Sequence, residues 1–199
     1  MKRTGSILMG LLACLTGCSS AKVEDFIDQK PAMDIREYFN GSIEASGVFF
    51  DYSGKADSFF HIVMKGSWNG NDGTLEEHFT YDNGKTDQRV WTIHMSDDHN
   101  ISATAHDIVG TATGKQFGNA VNLHYVLRVP SGDTAYDLTM DDWMYRMDMH
   151  TVINRITMRK FGIKVGEIIV TFKKNNAFFV TKQTSSEGVG NIKKSIILR

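Results

Sequence analysis

The stretch Thr74-Leu75-Glu76-Glu77-His78-Phe79-Thr80-Tyr81, followed by Asp82-Asn83-Gly84-Lys85 and then Thr86-Asp87-Gln88-Arg89-Val90-Trp91-Thr92-Ile93-His94-Met95, decides the fold. Leu75, Glu77, Phe79 and Tyr81 share one face of an extended segment, and Arg89, Trp91, Ile93 and Met95 share one face of the next. Asn-Gly between two alternating runs is a hairpin signal. For both faces to meet one core, opposed residue numbers must sum to an even value. A two-residue Asn83-Gly84 turn fails that test. A three-residue Asn83-Gly84-Lys85 loop passes it, pairing Phe79 with Arg89 and Glu77 with Trp91 and leaving Glu77 and Arg89 diagonal to one another.

The same grammar runs outward in both directions. Turn signals recur at Ser53-Gly54-Lys55, Asn69-Gly70-Asn71-Asp72-Gly73, Ser96-Asp97-Asp98, Val109-Gly110, Ser131-Gly132-Asp133 and Phe161-Gly162. Between them lie runs such as Phe60/Ile62/Met64 and Val121/Leu123/Tyr125/Leu127/Val129. About ten strands in series predict an all-β antiparallel up-and-down barrel, whose closure removes the edges. Pro31–Phe39, with Met33, Ile35, Tyr38 and Phe39 at helical spacing, predicts one short N-terminal helix ending at Asn40-Gly41. Charges occur on both faces of several strands, with Glu76 and His78 opposite Glu77 and Phe79, which argues against a lipid-facing membrane barrel.

The N-terminus carries an address. Lys2 and Arg3 precede the apolar run Ile7–Ala13, and Leu15-Thr16-Gly17-Cys18 follows. That run is too short for a permanent membrane span. It resembles a bacterial lipoprotein signal, whose Cys18 would take acyl chains after cleavage, and several chains anchor a protein far more firmly than one. Ser19 follows Cys18 where an inner-membrane retention signal would have Asp, so the expected location is the outer membrane, facing the periplasm. Cys14 leaves with the signal and Cys18 is the anchor, so no thiol remains for a disulfide, a nucleophile or a metal. The expected organisation is a signal peptide over 1–17, a polar tether over 18–30, a barrel over 31–174 and a basic tail over 175–199. Ala177-Phe178-Phe179-Val180 can form a last strand in that tail.

The 199 residues hold 22 Lys and Arg against 23 Asp and Glu, with 41% apolar and 11% aromatic residues, enough for one buried core. The charge is unevenly laid. Residues 18–172 carry 14 basic and 22 acidic side chains, net −8, and residues 173–199 carry six and one, net +5. An acidic body excludes nucleic acid as the expected partner. The basic end fits either a solvated tail or contact with anionic headgroups.

Gly66-Ser67-Trp68-Asn69-Gly70, Gly73-Thr74-Leu75-Glu76-Glu77-His78-Phe79 and Arg89-Val90-Trp91 together resemble a known family. Ala105-His106-Asp107-Ile108-Val109-Gly110, Asp141-Asp142-Trp143-Met144-Tyr145, Asn154-Arg155 and Met158–Gly162 extend the match. Over roughly Pro31–Lys174 the chain is similar to the uncharacterised proteobacterial lipoproteins grouped as domain of unknown function 3833. The resemblance implies a lipocalin-like barrel on a lipoprotein and no particular activity. The family's association with genes for lipid modification hints at a substrate class.

Charges on otherwise apolar strand faces are the candidate site. Glu77 sits with Leu75 and Phe79, Arg89 with Trp91, Asp107 after the small Ala103 and Ala105, Asp142 with Met140 and Met144 beside Trp143, and Asn154 with Val152 and Ile156. Glu77, Arg89, Asp107, Asp142 and Asn154 are expected to project inward, with Trp91 and Trp143 completing a ligand-binding set. Three readings stand: ion pairs that fix register; a seat for the polar head of a lipid-like amphipathic ligand whose tail lies on Phe60, Ile62, Trp91 and the methionines; or acid/base chemistry by Asp107 and Asp142 with Arg89 holding an oxyanion, in a lipid-acting enzyme. A structural envelope lipoprotein without a ligand corresponds to the first. No nucleophile and base occur at catalytic spacing, no His-x-His or His-Glu-x-x-His predicts a metal, and Gly110-Thr111-Ala112-Thr113-Gly114 lacks the Lys and helix of a phosphate loop. No cofactor is expected.

Overall fold

The computed structural model describes residues 21–174. The signal at 1–17, Cys18 and the tail with its expected last strand lie outside the described residues. Ten strands form a closed antiparallel barrel in strict up-and-down order. They are β1 (Gly41–Asp51), β2 (Ala56–Asn69), β3 (Asp72–Tyr81), β4 (Thr86–Met95), β5 (Asn100–Thr104), β6 (Ala112–Phe117), β7 (Ala120–Ser131), β8 (Thr134–Arg146), β9 (Thr151–Lys160) and β10 (Ile163–Lys174). Each strand pairs with its chain neighbours. β1 closes the ring on β10, with Ala45 opposite Phe172 and Gly47 opposite Val170.

Alternation behaves as the sequence predicts. Ile62, Met64, Leu75, Trp91, Ile93, Val121, Tyr125, Met140, Val152, Val170 and Phe172 are buried inside. His61, Lys65, Glu76, His78, His94, His124, Arg128 and Arg155 are exposed outside, which does not suit a lipid-facing belt. The decisive hairpin differs in register by two residues from the expectation. Its loop is Asp82-Asn83-Gly84: Tyr81 N–H donates to the Lys85 carbonyl and Gly84 N–H to the Tyr81 carbonyl, both at 2.9 Å. Gly84 takes φ +79° as the last loop residue, where a type I turn followed by a left-handed residue requires it. The parity survives, but Glu77 now stands directly opposite Arg89, and Leu75 opposite Trp91.

One end of the barrel is plugged. The expected helix over 31–39 shortens to α1 (Ile35–Tyr38), because Asp34 rather than Pro31 starts it, its carboxylate accepting from Arg36 N–H at 2.9 Å. Ile35, Tyr38 and Phe39 sink into the barrel end. Tyr38 is 0% exposed, and its hydroxyl donates to the His150 carbonyl at 2.8 Å. Phe39 packs edge-on against Phe172, ring centres 5.7 Å apart. Two buried polar residues on the barrel floor are satisfied by this segment, as buried polar groups must be. Gln116 accepts from Ile35 N–H at 3.0 Å, and Arg146 donates to the Ala32 carbonyl at 2.9 Å and to Glu37 at 3.1 Å.

The tether expected over 18–30 is not a free spacer along its described part. Val23–Phe26 forms a 3-10 turn on the outer wall. Val23 is buried, Phe26 packs on the Tyr145 and Trp143 rings at 5.5 and 5.9 Å, and Glu24 pairs with Lys115 at 2.8 Å. The folded unit therefore begins near residue 22, earlier than residue 31.

Candidate ligand-binding cavity

Along β1 to β4 the inward side chains pass from buried at the plugged end to half-buried or exposed at the other. On β2 the order is Met64 and Ile62, buried, then Phe60 and Ser58, half-buried. The interior is therefore a cavity, about 390 Å³, within the range of small-molecule sites. Phe60, Phe79, Trp91, Met140, Met144, Met158 and other apolar side chains line it, together with Glu77, Arg89, Asp142 and Asn154.

Two polar clusters face each other within it. In the first, Arg89 sits between the Phe79 and Trp91 rings, 5.7 and 5.6 Å from their centres. Its Nε and Nη2 donate to Asp107 at 3.0 and 2.6 Å, while Nη1 stands 3.7 Å from Glu77 Oε2. Asp107 lies in the loop after β5 rather than on a strand. That loop folds onto the upper half of β7, where Asp107 and Val109 exchange backbone hydrogen bonds with Arg128 and Val126 at 2.8 and 2.9 Å. The shortness of β5 and β6 leaves this part of β7 free for it.

In the second cluster Asp142 accepts from both neighbouring strands. Tyr125 Oη donates to Oδ2 at 3.1 Å, and Asn154 Nδ2 donates to Oδ1 and also to the Trp143 carbonyl at 2.9 Å. Both partners are diagonal to Asp142, since Leu123 and Ile156 stand directly opposite. Trp91 joins the clusters across the barrel, edge-on to Tyr125 with ring centres 5.7 Å apart.

A family model described as Protein of unknown function (DUF3833) matches residues 12–174. The chain belongs to this family. No curated protein sequence matches it. Among solved structures, this DUF3833 chain is similar to the S-type phycobiliprotein lyase CPES from Guillardia theta, at TM-score 0.52 and 7% identity, covering 73% of this chain and 94% of that one. At that identity the likeness shows the fold alone: a lipocalin-like barrel.

Burial sets the electrostatics of the DUF3833 cavity. Glu77 is 7% exposed, and loss of water pushes its carboxyl up to about 7 although Arg89 pulls the other way. Asp142, 5% exposed, is raised by burial to about 6 against the hydrogen bonds from Asn154 and Tyr125. Burial also drives the Tyr125 hydroxyl well above its ordinary range. Arg89 is held above its own, because Asp107 and Glu77 outweigh the cost of burying its charge.

Of the seven sequence-predicted residues, Glu77, Arg89, Trp91, Asp142 and Asn154 line the cavity, and Asp107 reaches it through Arg89. Trp143 does not. Strand alternation that turns Asp142 inward turns Trp143 outward, where it stacks on Tyr145 beneath Phe26. Tyr125, which the sequence places on an apolar strand face, joins the site by donating to Asp142. Its signal was available: a phenol on an inward face needs a partner.

Proposed function

We propose that this barrel binds a lipid-like amphipathic ligand and is carried on the periplasmic face of the outer membrane by an acylated Cys18. What supports binding is the cavity itself: an apolar chamber of about 390 Å³ open at one end, with a polar cluster part-way down its wall. A barrel serving only as scaffold gains stability by filling such space, since voids cost free energy in proportion to their volume. The adaptable thioethers of Met140, Met144 and Met158 suit a flexible chain, and the polar cluster suits a head. The fold shared with a phycobiliprotein lyase is compatible with a ligand-holding role.

The lipoprotein reading rests on the signal sequence and the Leu15–Cys18 motif. The enzyme reading draws support from two carboxyls held near neutrality in one cavity. Its oxyanion holder is reduced to one nitrogen, because Asp107 already engages Nε and Nη2 of Arg89 and leaves only Nη1. Native mass spectrometry of protein purified from its own envelope, followed by lipid extraction, tests the binding reading. One co-purifying amphiphile per chain is expected; a ligand-free protein under those conditions overturns it, and turnover of the bound lipid favours the enzyme.

A further inference from the structure

Among the described residues three buried side-chain polar atoms have no hydrogen-bond partner: Trp68 Nε1, Asn119 Oδ1 and Glu77 Oε2. Only the last belongs to a residue that lines the cavity. It is an acceptor; the Trp91 indole acts on the Glu77 carboxyl and holds it down against burial, and most other donors around it are committed elsewhere. Arg89 Nε and Nη2 hold Asp107, Tyr125 Oη holds Asp142, and Asn154 Nδ2 holds Asp142 and the Trp143 carbonyl. The balance of charge points the same way, with Glu77, Asp107 and Asp142 arranged around the single guanidinium of Arg89.

We propose, resting on the binding reading above, that the cavity selects an amphiphile whose head donates hydrogen bonds, a hydroxyl or an ammonium, and discriminates against a carboxylate head. A hydroxyl oxygen bridges Glu77 Oε2 and Arg89 Nη1 once these two side chains part to admit it, because Oε2 is otherwise closed off. These atoms are 3.7 Å apart, too far to bond each other, but an oxygen about 2.8 Å from each donates to the first and accepts from the second. An ammonium donates to the same carboxylate and adds a positive charge to a patch with a surplus of acids. A carboxylate has nothing to donate. If one of its oxygens accepts from Arg89 Nη1, it stands against Glu77 Oε2 as a fourth acid among three.

The test is a calorimetric titration of the purified, delipidated full-length protein at about pH 8 with three probes of one chain length: dodecanol, dodecylamine and dodecanoate. At least one of the first two is expected to bind ten-fold or more tightly than dodecanoate. In Glu77→Gln, which removes the charge and adds an N–H donor, the gap is expected to shrink to about three-fold, with circular dichroism confirming the fold. Dodecanoate binding as tightly as the better donor probe, or an undiminished gap in folded Glu77→Gln, overturns the head-group assignment and leaves the binding reading standing. Failure of all three probes to bind the folded wild-type protein overturns both.

Discussion

Glu77 places a carboxyl among phenyl, indole and thioether groups, and its ionisation therefore bears on stability. Its value in the folded protein is about 7, against an ordinary 4.5. A carboxyl raised on folding binds more protons in the native than in the unfolded state. Its contribution is fully present below about 4.5 and is lost as pH rises through about 7. The difference corresponds to roughly 3 kcal/mol between about pH 4 and about pH 8; Asp142, raised to about 6, adds in the same direction. Glu77→Gln cannot ionise. In urea unfolding its stability relative to wild type is expected to improve between those two pH values by up to about 3 kcal/mol; an unchanged difference refutes the assignment. At this scale the sequence was partly legible. Parity alone placed Glu77 and Arg89 on one inner face and brought them within reach. Whether they stood diagonal or opposed depended on which loop residue took the left-handed conformation, and the two-residue difference turned on Gly84 coming last.

At the scale of elements, the plug turns an open-ended tube into a closed cup. It seats because β2 carries Gly66 at the point of contact, where a Cβ would lie 1.6 Å from the Phe39 carbonyl oxygen. The backbone there cannot yield without moving the segment that holds Tyr38 and Phe39. Gly66→Ala is expected to lower stability by about 2 kcal/mol, in the range of overpacked cores, measured by urea unfolding. A variant as stable as wild type shows that the seat is soft. Alternation made the strands legible, since it is written into every pair of adjacent residues. The wall-bound turn at Val23–Phe26 was not, because a run of Lys, Glu and Asp hides two apolar anchors. Only the grip of Trp143 and Tyr145 on Phe26 shows that they are used.

For the whole molecule, the expected anchor and the folded wall lie close in sequence. Cys18 precedes Ala21, the first described residue, by three positions, and three residues span at most roughly 11 Å. An acylated Cys18 would hold the barrel near the membrane by the side carrying Val23–Phe26, which packs against β6 and β7. Cys18→Ser is expected to move the protein from the membrane fraction to the soluble one and to abolish palmitate labelling, with barrel stability unchanged. Retention with full labelling refutes the anchor.

The chain's own pattern, period-two faces, glycine-marked loops and a few charges on inward faces, settles that it makes an up-and-down barrel with a charged interior, because those signals act over a few residues. The cup, the satisfied floor and the identity of each acid's partner arise from residues far apart: Ile35 with Gln116, Arg146 with Ala32, Arg89 with Asp107, Tyr125 with Asp142. Closing the ring brings these pairs into contact. It also removes the water that would otherwise keep Glu77 and Asp142 ordinary carboxylates, so the site's chemistry belongs to the closed barrel and not to any one strand.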